Sequence, residues 1–443
     1  MKIPTTTSRN PLARYLLAAT PIAGHVLPML GIGADLQRRG HDVCLLTGEQ
    51  YSDRVRRAGM RLAMLPRDAH VPPSASAPPS RLAPTVRRYM RGRAELDSVF
   101  IAPLAAQFDA LQGVLRREPV DAVLVDLAFT GALACLLGAH PRPPILVCGV
   151  GPLTLSSAQT PPFGMGWPPQ PSVDYTNMTR FVHRVMFART QTRLNRVLRE
   201  VGAARSPVFL TDWPRLADKM LQLTVPGFEY PRADLPENVS FVGHMFPNST
   251  DEHSVAPWSA QLGTARTIIH VTQGTFDNTN LDQLIGATLR ALADRKDCFV
   301  VATTGGGPIH TLRCPVPTNV FVTDYLPYEQ LLPSVDVMIT NGGYGGVQHA
   351  LRFGIPVIVA GETADKAEVA ARVAYTGTGI NLGTAHPTPA DIDTAVDQIL
   401  SNPGYRIAAH RLSRDFAAAT PLDAIANALA DVTAHPIPLA DTE

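Results

Sequence analysis

Residues 339–351, ITNGGYGGVQHAL, contain the end of an apolar strand, a cluster of glycines and the start of a helix. The glycines at positions 342, 343, 345 and 346 leave the backbone nearly bare, with Asn341 as the polar residue beside them. A chain accepts the entropic cost of glycine where it needs a positive φ or where a ligand must approach the backbone closely. A helix beginning near Gly346 would present unpaired N–H groups and the positive end of its dipole, so this stretch predicts an anion site.

The same strand-then-helix order recurs through the chain. Short runs rich in Val, Leu and Ile are typical of parallel strands buried on both faces. They occupy residues 15–20, 41–47, 121–126 and 144–149, and then 267–275, 298–306, 319–327, 335–343 and 355–361. Residues 27–40 form a predicted helix that stops at Gly40. The alternation predicts an α/β fold of two Rossmann-like, doubly wound parallel-sheet domains that face each other across a cleft.

A length of 443 residues is sufficient for two domains with separate cores. Residues 246–262 lose the periodic pattern and gain polar residues, which indicates an interdomain linker. We therefore expect an N-terminal domain over 1–245, a C-terminal domain over 263–415, and a tail over 416–443 that packs back toward the N-terminal domain. The Pro-rich segments 66–84 and 159–173 are expected to be long loops at one rim, where binding surfaces are common.

The composition is that of a globular protein, with 45% hydrophobic and 17% charged residues and a mean hydropathy of +0.03. A formal net charge of +1 gives no electrostatic reason to expect nucleic acid or an anionic membrane as a partner. The five cysteines show no CxxC spacing, which is typical of a reducing cytosol. No run reaches the ~18 apolar residues of a membrane span. We expect a cytoplasmic protein without a transmembrane segment.

A second glycine turn follows the strand in HVTQGT (270–275), at Gly274 and Thr275. Either turn by itself is equally compatible with glycine needed only for shape. Because both strand ends fall on the ligand-binding edge of an open α/β sheet, the two turns together favour a binding site for a diphosphate. Gly31 and Gly33 lack the third glycine of a dinucleotide fingerprint, so we interpret them as helix packing.

Metal-binding patterns are weak in this sequence. The string DID at 391–393 is similar to a metal-binding DxD motif. However, Thr388 and Pro389 before it predict a helix start, with a Thr cap and Pro at the first position. The isolated histidines share no ligand spacing with cysteines or carboxylates: His310, His349 and His410. We expect no metal and no cofactor.

Residues 325–370, YLPYEQLLPSVDVMITNGGYGGVQHALRFGIPVIVAGETADKAEVA, resemble the nucleotide-sugar signature of the GT-B glycosyltransferases of family 1. That family includes plant secondary-metabolite and bacterial macrolide glycosyltransferases. Gly343, Gly354 and Pro356 stand at the family spacing, as does an acidic residue at Asp365. PIAGHVLPML (21–30) resembles the family's first loop, which carries its catalytic histidine. The resemblance covers most of the chain and implies a GT-B fold.

The resemblance also implies roles for matching residues. It implies His25 as the general base and Asp126 as its carboxylate partner. Asp126 is also compatible with a helix N-cap before AFTGALACLLG. The implied donor-binding residues are Gly274, Thr275, Tyr325, Leu326, Asn341, Gly343, Gly345, Gly346, Asp365 and Lys366.

Four of these positions depart from the family pattern. Asn341 stands where a histidine usually contacts the diphosphate, Gly346 where a Ser or Thr adds a contact, Tyr325 where a Trp packs on the base, and Lys366 where a Gln binds the sugar. An Asn amide donates without carrying charge, and a Lys accepts no hydrogen bond. We expect these departures to alter donor identity and affinity more than the fold.

The activity that the resemblance implies is inverting, metal-independent transfer of a hexose from a UDP- or dTDP-sugar to a hydroxyl of a hydrophobic small molecule. Phe163, Met165 and Trp167, on the Pro/Gly-rich loop, are candidate acceptor-binding residues. Two alternatives stay open. One is a nucleotide-sugar epimerase of the same fold. The other is a non-catalytic nucleotide-sugar-binding protein, which the departures from the family pattern at Asn341 and Gly346 suggest. A dinucleotide oxidoreductase is disfavoured by the missing GxGxxG.

Overall fold

The computed structural model describes residues 12–71, 84–246, 267–275, 278–362 and 365–434. Within these residues the chain forms two α/β domains, each built on one parallel sheet. The strands of the N-terminal sheet are β1 (Arg14–Ala18), β2 (Asp42–Thr47), β3 (Arg61–Met64), β4 (Ala122–Asp126), β5 (Ile145–Gly149), β6 (Lys219–Gln222) and β7 (Val239–Phe241). Their order is β3-β2-β1-β4-β5-β6-β7, and every neighbouring pair is parallel.

This order places the topological switch point of the N-terminal sheet between β1 and β4. The chain winds outward from β1 to β3 on one side, then returns to the centre and continues from β4 on the other. Ligands of open α/β sheets bind outside the carboxyl ends of the strands at such a point. His25 follows β1 and Asp126 ends β4, so the sheet order alone brings these two residues to one place.

The C-terminal sheet has the same kind of topology. Its strands are β8 (Thr267–Thr272), β9 (Cys298–Thr303), β10 (Val320–Thr323), β11 (Val337–Thr340), β12 (Val357–Val359) and β13 (Gly379–Asn381). The order is β10-β9-β8-β11-β12-β13, again all parallel. The switch point lies between β8 and β11, the two strands whose ends carry the predicted glycine turns. The expected pair of doubly wound parallel-sheet domains is confirmed.

The helices pack on both faces of the sheets. They are α1 (Ala23–Arg38), α2 (Ser52–Arg57), α3 (Pro84–Leu96), α4 (Leu104–Leu115), α5 (Gly131–Leu136), α6 (Thr176–Phe181), α7 (Ala188–Glu200), α8 (Ala287–Leu292), α9 (Tyr328–Leu331), α10 (Tyr344–Arg352), α11 (Lys366–Tyr375), α12 (Pro389–Ser401), α13 (Pro403–Ala418) and α14 (Pro421–Ala434). The start of α1 precedes the predicted residue 27, because the N–H groups of His25 and Val26 already bond to the carbonyl of Ile22.

Two local predictions about helices are confirmed. A Cβ at Gly33 of α1 would lie 2.2 Å from Sδ of Met60, so this glycine does serve close helix packing. Thr388 caps α12, with Pro389 in its first turn and a reciprocal hydrogen bond between Thr388 and Asp391. The DID string is therefore the start of a helix.

The last two described helices belong to different cores. In α13, Leu412 and Phe416 are buried in the C-terminal core, so the expected boundary between residues 415 and 416 falls inside a helix. In α14, Leu429 is fully buried in the core that α1 forms with the N-terminal sheet. Of the predicted linker 246–262, only Phe246 lies within the described residues.

One helical stretch, Val86–Leu115, is long and apolar enough by length and composition to cross a membrane, and 33% of its most apolar window is buried in the protein. Leu104 and Leu111 of this stretch are fully buried in the N-terminal core. Core helices of globular proteins meet the same two criteria of length and composition.

Candidate active site

His25 and Asp126 form a hydrogen-bonded pair at the carboxyl edge of the N-terminal sheet. His25 lies in the first turn of α1, and its Nδ1 is 2.6 Å from Oδ1 of Asp126. The Asp126 side chain is fully buried, whereas 24% of the His25 side chain remains exposed. A carboxylate on Nδ1 fixes the tautomer in which Nε2 of the neutral ring is unprotonated. Nε2 is then available to accept a proton.

Asp126 is itself held by the backbone. Its Oδ2 accepts a hydrogen bond from Thr20 N at 2.5 Å, and its Oδ1 accepts one from Ala128 N at 2.7 Å. The helix that follows, α5, has Thr130 at its N-cap position, so the alternative role of Asp126 as an N-cap is wrong. The carboxylate instead ties the ends of β1 and β4 together and orients the His25 ring.

The electrostatics of this pair involve the other domain. Burial lowers the pKa of His25, but the charge and hydrogen bond of Asp126 and the charge of Asp365 raise it by more, so the pKa lies above its ordinary value of 6.5. Asp365 immediately precedes α11 in the C-terminal domain. A Cβ at Gly151 of the N-terminal domain would lie 3.7 Å from its Oδ2. Burial also raises the pKa of Asp365, and the charges of Lys366 and His25 offset part of that rise.

The two predicted glycine turns lie side by side, because β8 and β11 are paired with Thr272 opposite Thr340. Gly274 has a φ of +69°, and its N–H donates to Oγ1 of Thr272 at 3.2 Å. Asn341 is nearly buried, and its Nδ2 donates to the backbone carbonyl of Gln273. Asn341 thus links the two turns, and Nδ2 keeps one further hydrogen.

Helix α10 begins two residues before the predicted Gly346, at Tyr344. Gly342 has a φ of +86° and turns the chain, and Gly343 is the N-cap. The first intrahelical bond is from Val347 N to Gly343 O, so the N–H groups of residues 344–346 are left without helical partners. A Cβ at Gly343 would meet nothing within 4 Å, so the space beside these N–H groups is open.

The other glycines of this helix start face inward. A Cβ at Gly345 would lie 3.7 Å from Cε1 of His244, and one at Gly346 would lie 3.8 Å from Cε of Met338 in the core. A Cβ at position 346 therefore fits at an ordinary van der Waals distance from Met338, so packing there does not require glycine.

Tyr325 follows β10 and is 62% exposed. Its hydroxyl donates to the carbonyl of Gly305 at 2.7 Å, and a Cβ at Gly305 would lie 2.2 Å from the carbonyl oxygen of Gly274. Leu326 packs against the C-terminal core, and Thr275 is exposed at the turn after β8. An exposed aromatic face is thus anchored beside the glycine turns, and sequence reasoning had missed the third turn at Gly305.

Lys366 and the predicted acceptor loop differ in their exposure to solvent. Lys366, in the first turn of α11, is 5% exposed. The loop with Phe163, Met165 and Trp167 has no regular secondary structure; Phe163 and Met165 are partly buried, and the Trp167 side chain is 49% exposed. Its backbone reaches Glu368 of α11, because Gly164 N and Gly166 N each donate to Oε1 of that carboxylate at 2.8 Å.

Sequence reasoning missed the residues that join the domains here. Arg372 is 1% exposed and bonds the carboxylates of Glu229 and Glu368. Gln222, at the end of β6, bonds the hydroxyl of Tyr344 at 3.2 Å. The i,i+4 spacing of Glu368 and Arg372, both on α11, was a detectable signal for their ion pair.

Known proteins resemble this chain along nearly its full length. The family profile described as erythromycin biosynthesis protein CIII-like, C-terminal domain, matches residues 287–432. The 4'-demethylrebeccamycin synthase of Lentzea aerocolonigenes is 35% identical over 412 residues, which is 92% of this chain and 96% of that protein. UDP-glucosyltransferase A1 of Starmerella bombicola is 30% identical over 440 residues, or 97% and 94% of the two chains. This chain belongs to the family 1 GT-B glycosyltransferases.

A solved structure supports the fold of this family 1 glycosyltransferase. The calicheamicin glycosyltransferase CalG4 superposes with a TM-score of 0.72 at 21% identity, covering 96% of this chain and 99% of that one. The expected GT-B fold and glycosyltransferase class are confirmed. In the described parts of the chain, no three His, Cys, Asp or Glu side chains group closely enough to hold a metal ion.

Proposed function

We propose that this glycosyltransferase is a cytoplasmic, inverting, metal-independent enzyme that moves a hexose from a UDP- or dTDP-sugar to a hydroxyl of a hydrophobic small molecule. The observation that carries the proposal is the His25–Asp126 pair, 2.6 Å apart at the switch point of one sheet, with Asp365 of the other domain close enough to influence its charge. The relatives named as UDP-glucosyltransferases support the choice of donor.

The chemistry follows from the residue types. The acceptor oxygen attacks the anomeric carbon on the face opposite the diphosphate, its proton passes to Nε2 of His25, and the bond to the diphosphate breaks with its electron pair leaving on oxygen. A general base of this kind contributes about 10²–10⁴-fold to the rate. Because the Asp126 carboxylate is buried and hydrogen-bonded to Nδ1, it orients the ring and stabilises the imidazolium that forms.

The departing diphosphate is assigned to the space beside the two glycine turns. The free N–H groups at the start of α10 and the remaining hydrogen of Asn341 Nδ2 are donors there, and the dipole of α10 adds positive potential. Fixed donors stabilise the charge that grows on the leaving group more than the charge of the ground state. The exposed ring of Tyr325 is assigned to the nucleotide base, and Asp365 with Lys366 to the sugar.

The acceptor is assigned to the N-terminal side of the cleft, between His25 and the loop carrying Phe163, Met165 and Trp167. Apolar side chains on an irregular loop suit a hydrophobic aglycone, since loops of a rigid scaffold commonly form binding surfaces. Natural products, phenols and lipid-like alcohols all have this chemistry.

The test incubates purified protein with UDP-glucose or dTDP-glucose and a panel of phenols, with and without EDTA. Glycosides detected by intact mass, of β configuration by NMR from the α-linked donor and formed equally with EDTA, are the expected result. Epimerised sugar without any glycoside would instead support an epimerase. Donor affinity without turnover or hydrolysis on any acceptor would support a binding protein.

A further inference from the structure

The loop that carries Phe163, Met165 and Trp167, called the acceptor loop below, belongs to the N-terminal domain and contacts helix α11 of the C-terminal domain. The N–H groups of Gly164 and Gly166 converge on one oxygen, Oε1 of Glu368, at 2.8 Å each. A Cβ at Gly166 would lie 2.9 Å from Cβ and 3.1 Å from the carbonyl oxygen of Ala367. The loop backbone therefore contacts the first turn of the helix that Asp365 precedes, where the donor sugar is assigned.

The carboxylate that receives the loop is fixed on its other side. Oε2 of Glu368 accepts a hydrogen bond from Nη1 of Arg372 at 2.9 Å, and Nε of Arg372 donates to Oε2 of Glu229 at 2.8 Å. The guanidinium also lies 4.4 Å from the ring centroid of Tyr230. Glu229 belongs to the N-terminal half of the chain, and its Oε1 accepts from Leu153 N. The network thus starts and ends on the N-terminal domain, with its centre on α11.

Because this network is buried, it constrains the position of the loop on α11. Arg372, Glu368 and Glu229 are all nearly inaccessible to solvent, at 1%, 4% and 3% exposure. Buried charges are tolerated when paired and hydrogen-bonded, because removing one partner leaves the other uncompensated. The network is complete only when the loop lies on α11 and the two domains are in contact.

The loop is also held from the opposite side. Nη2 of Arg88 on α3 donates to the carbonyls of Gly164 at 3.1 Å and Met165 at 2.5 Å. The backbone between Phe163 and Trp167 is therefore clamped between α3 and α11, and its side chains are the candidate acceptor contacts.

We propose that Glu368 is a positioning residue that docks the acceptor loop onto the donor-sugar helix, so that the acceptor hydroxyl and the anomeric carbon are aligned and water is excluded from the sugar. This inference rests on the proposed function. Two N–H groups donating to one carboxylate oxygen are charge-assisted hydrogen bonds, the stronger kind. A misplacement of about 1 Å between reacting groups can cost about 10²-fold in rate, so a loop held from α11 controls productive alignment.

Glu368→Gln tests this with almost no change in size. A Gln amide has only one oxygen, so it can accept either from Arg372 or from the loop N–H groups, and its NH₂ group then faces a donor. Asp397→Asn is the control, because it makes the same carboxylate-to-amide change at an exposed position. Asp397 lies on α12 and pairs with Arg295.

A second pair of variants acts from the loop. Gly164 and Gly166 both have positive φ, at +94° and +62°, so Ala strains the backbone at either position. Only the Cβ at Gly166 meets α11, whereas the one at Gly164 meets nothing within 4 Å. A Cβ at Gly166 would also lie 3.1 Å from Nη2 of Arg88, so the excess effect of Gly166→Ala over Gly164→Ala measures the contacts of this position with both α11 and α3.

Hydrogen exchange of the peptide covering residues 160–168 needs no substrate. For Glu368→Gln and Gly166→Ala we expect exchange about tenfold to hundredfold faster than in the unmodified protein, the equilibrium equivalent of one hydrogen bond to a charged group. We expect no change for Asp397→Asn. Unchanged protection in both Glu368→Gln and Gly166→Ala overturns the docking role.

The functional readout compares hydrolysis of UDP-glucose by water with glucoside formation on 4-methylumbelliferone. Glu368→Gln should raise the ratio of hydrolysis to transfer at least about tenfold, with UDP affinity by calorimetry within twofold. A parallel loss of UDP affinity and both reactions overturns the positioning role, since it indicates general damage. If the unmodified protein neither hydrolyses UDP-glucose nor forms a glycoside from UDP- or dTDP-glucose, the proposed function fails, and the exchange data alone then decide the docking.

Discussion

The substitution Asp126→Asn should remove most of the base catalysis while leaving the donor site intact. Asp126 accepts three hydrogen bonds, from His25 Nδ1, Ala128 N and Thr20 N, at 2.6, 2.7 and 2.5 Å. An amide has a single oxygen, so one side of the site must face an NH₂ group. If the NH₂ group faces Nδ1, the ring adopts the other tautomer, and Nε2 carries the proton that it should receive.

The expected loss in kcat is about 10²–10⁴-fold, the contribution of a general base. At 1.36 kcal/mol per decade, this is about 2.7–5.4 kcal/mol in the barrier. The pH profile gives a second signature. In the unmodified protein the pKa of His25 is raised, so the base form is lost as pH falls through a value above 6.5. Removing the Asp126 charge lowers that pKa, so the acid limb of kcat/KM should move to lower pH.

The assay is initial-rate glycosyl transfer between pH 5 and 9, with UDP affinity and thermal unfolding measured alongside. Asp218→Asn is the control, because Asp218 is a largely buried carboxylate that bonds Arg142 and the N–H of Ile145. It should lower stability without moving the pH profile. An acid limb that stays in place in Asp126→Asn, or a loss in kcat below tenfold, would refute the base assignment.

Three further outcomes are expected. His25→Ala should abolish most turnover and leave UDP affinity by calorimetry nearly unchanged; a rate close to that of the unmodified protein removes His25 from the base role. Tyr325→Ala should weaken UDP binding by about 1–3 kcal/mol, the range for an aromatic ring on a base; Tyr325→Phe keeps the ring and should stay within a few tenths, whereas equal losses would disprove stacking. Arg372→Met should lower the free energy of unfolding in urea by about 3–5 kcal/mol, because it leaves the buried carboxylates of Glu229 and Glu368 unpaired; a loss below about 1 kcal/mol contradicts that account.

The strands that were predicted lie in runs of apolar residues, whatever their length. Nine apolar runs correspond to β1, β2, β4, β5, β8, β9, β10, β11 and β12, because strands buried on both faces need continuous apolar side chains. The four strands that were missed are β3, β6, β7 and β13; β3, β7 and β13 are edge strands, and β6 begins with Lys219 and ends with Gln222. The hydrogen bonds of a neighbouring strand, rather than their own pattern, define such short segments.

Helix starts were predicted less well than strands. Gly346 was predicted as the start of α10, which begins at Tyr344. Glycine tolerates both the turn and the helix, so a run containing Gly342, Gly343, Gly345 and Gly346 does not mark the boundary between them. At α12 the Thr388-Pro389 signal was sufficient, because capping and a fixed φ are local properties of those residues.

The sequence by itself determined the two-domain parallel-sheet fold and the glycine turns, since apolar periodicity and backbone freedom are encoded locally. It also carried the family resemblance that indicated His25 and Asp126. Only the tertiary structure joined residues far apart in the chain: His25 meets Asp126 101 positions away, and Glu229 meets Arg372 143 positions away. Sheet order sets the first contact and docking of the two domains sets the second. Neither leaves a local pattern, because a buried charge is stabilised by whichever partner the fold places beside it.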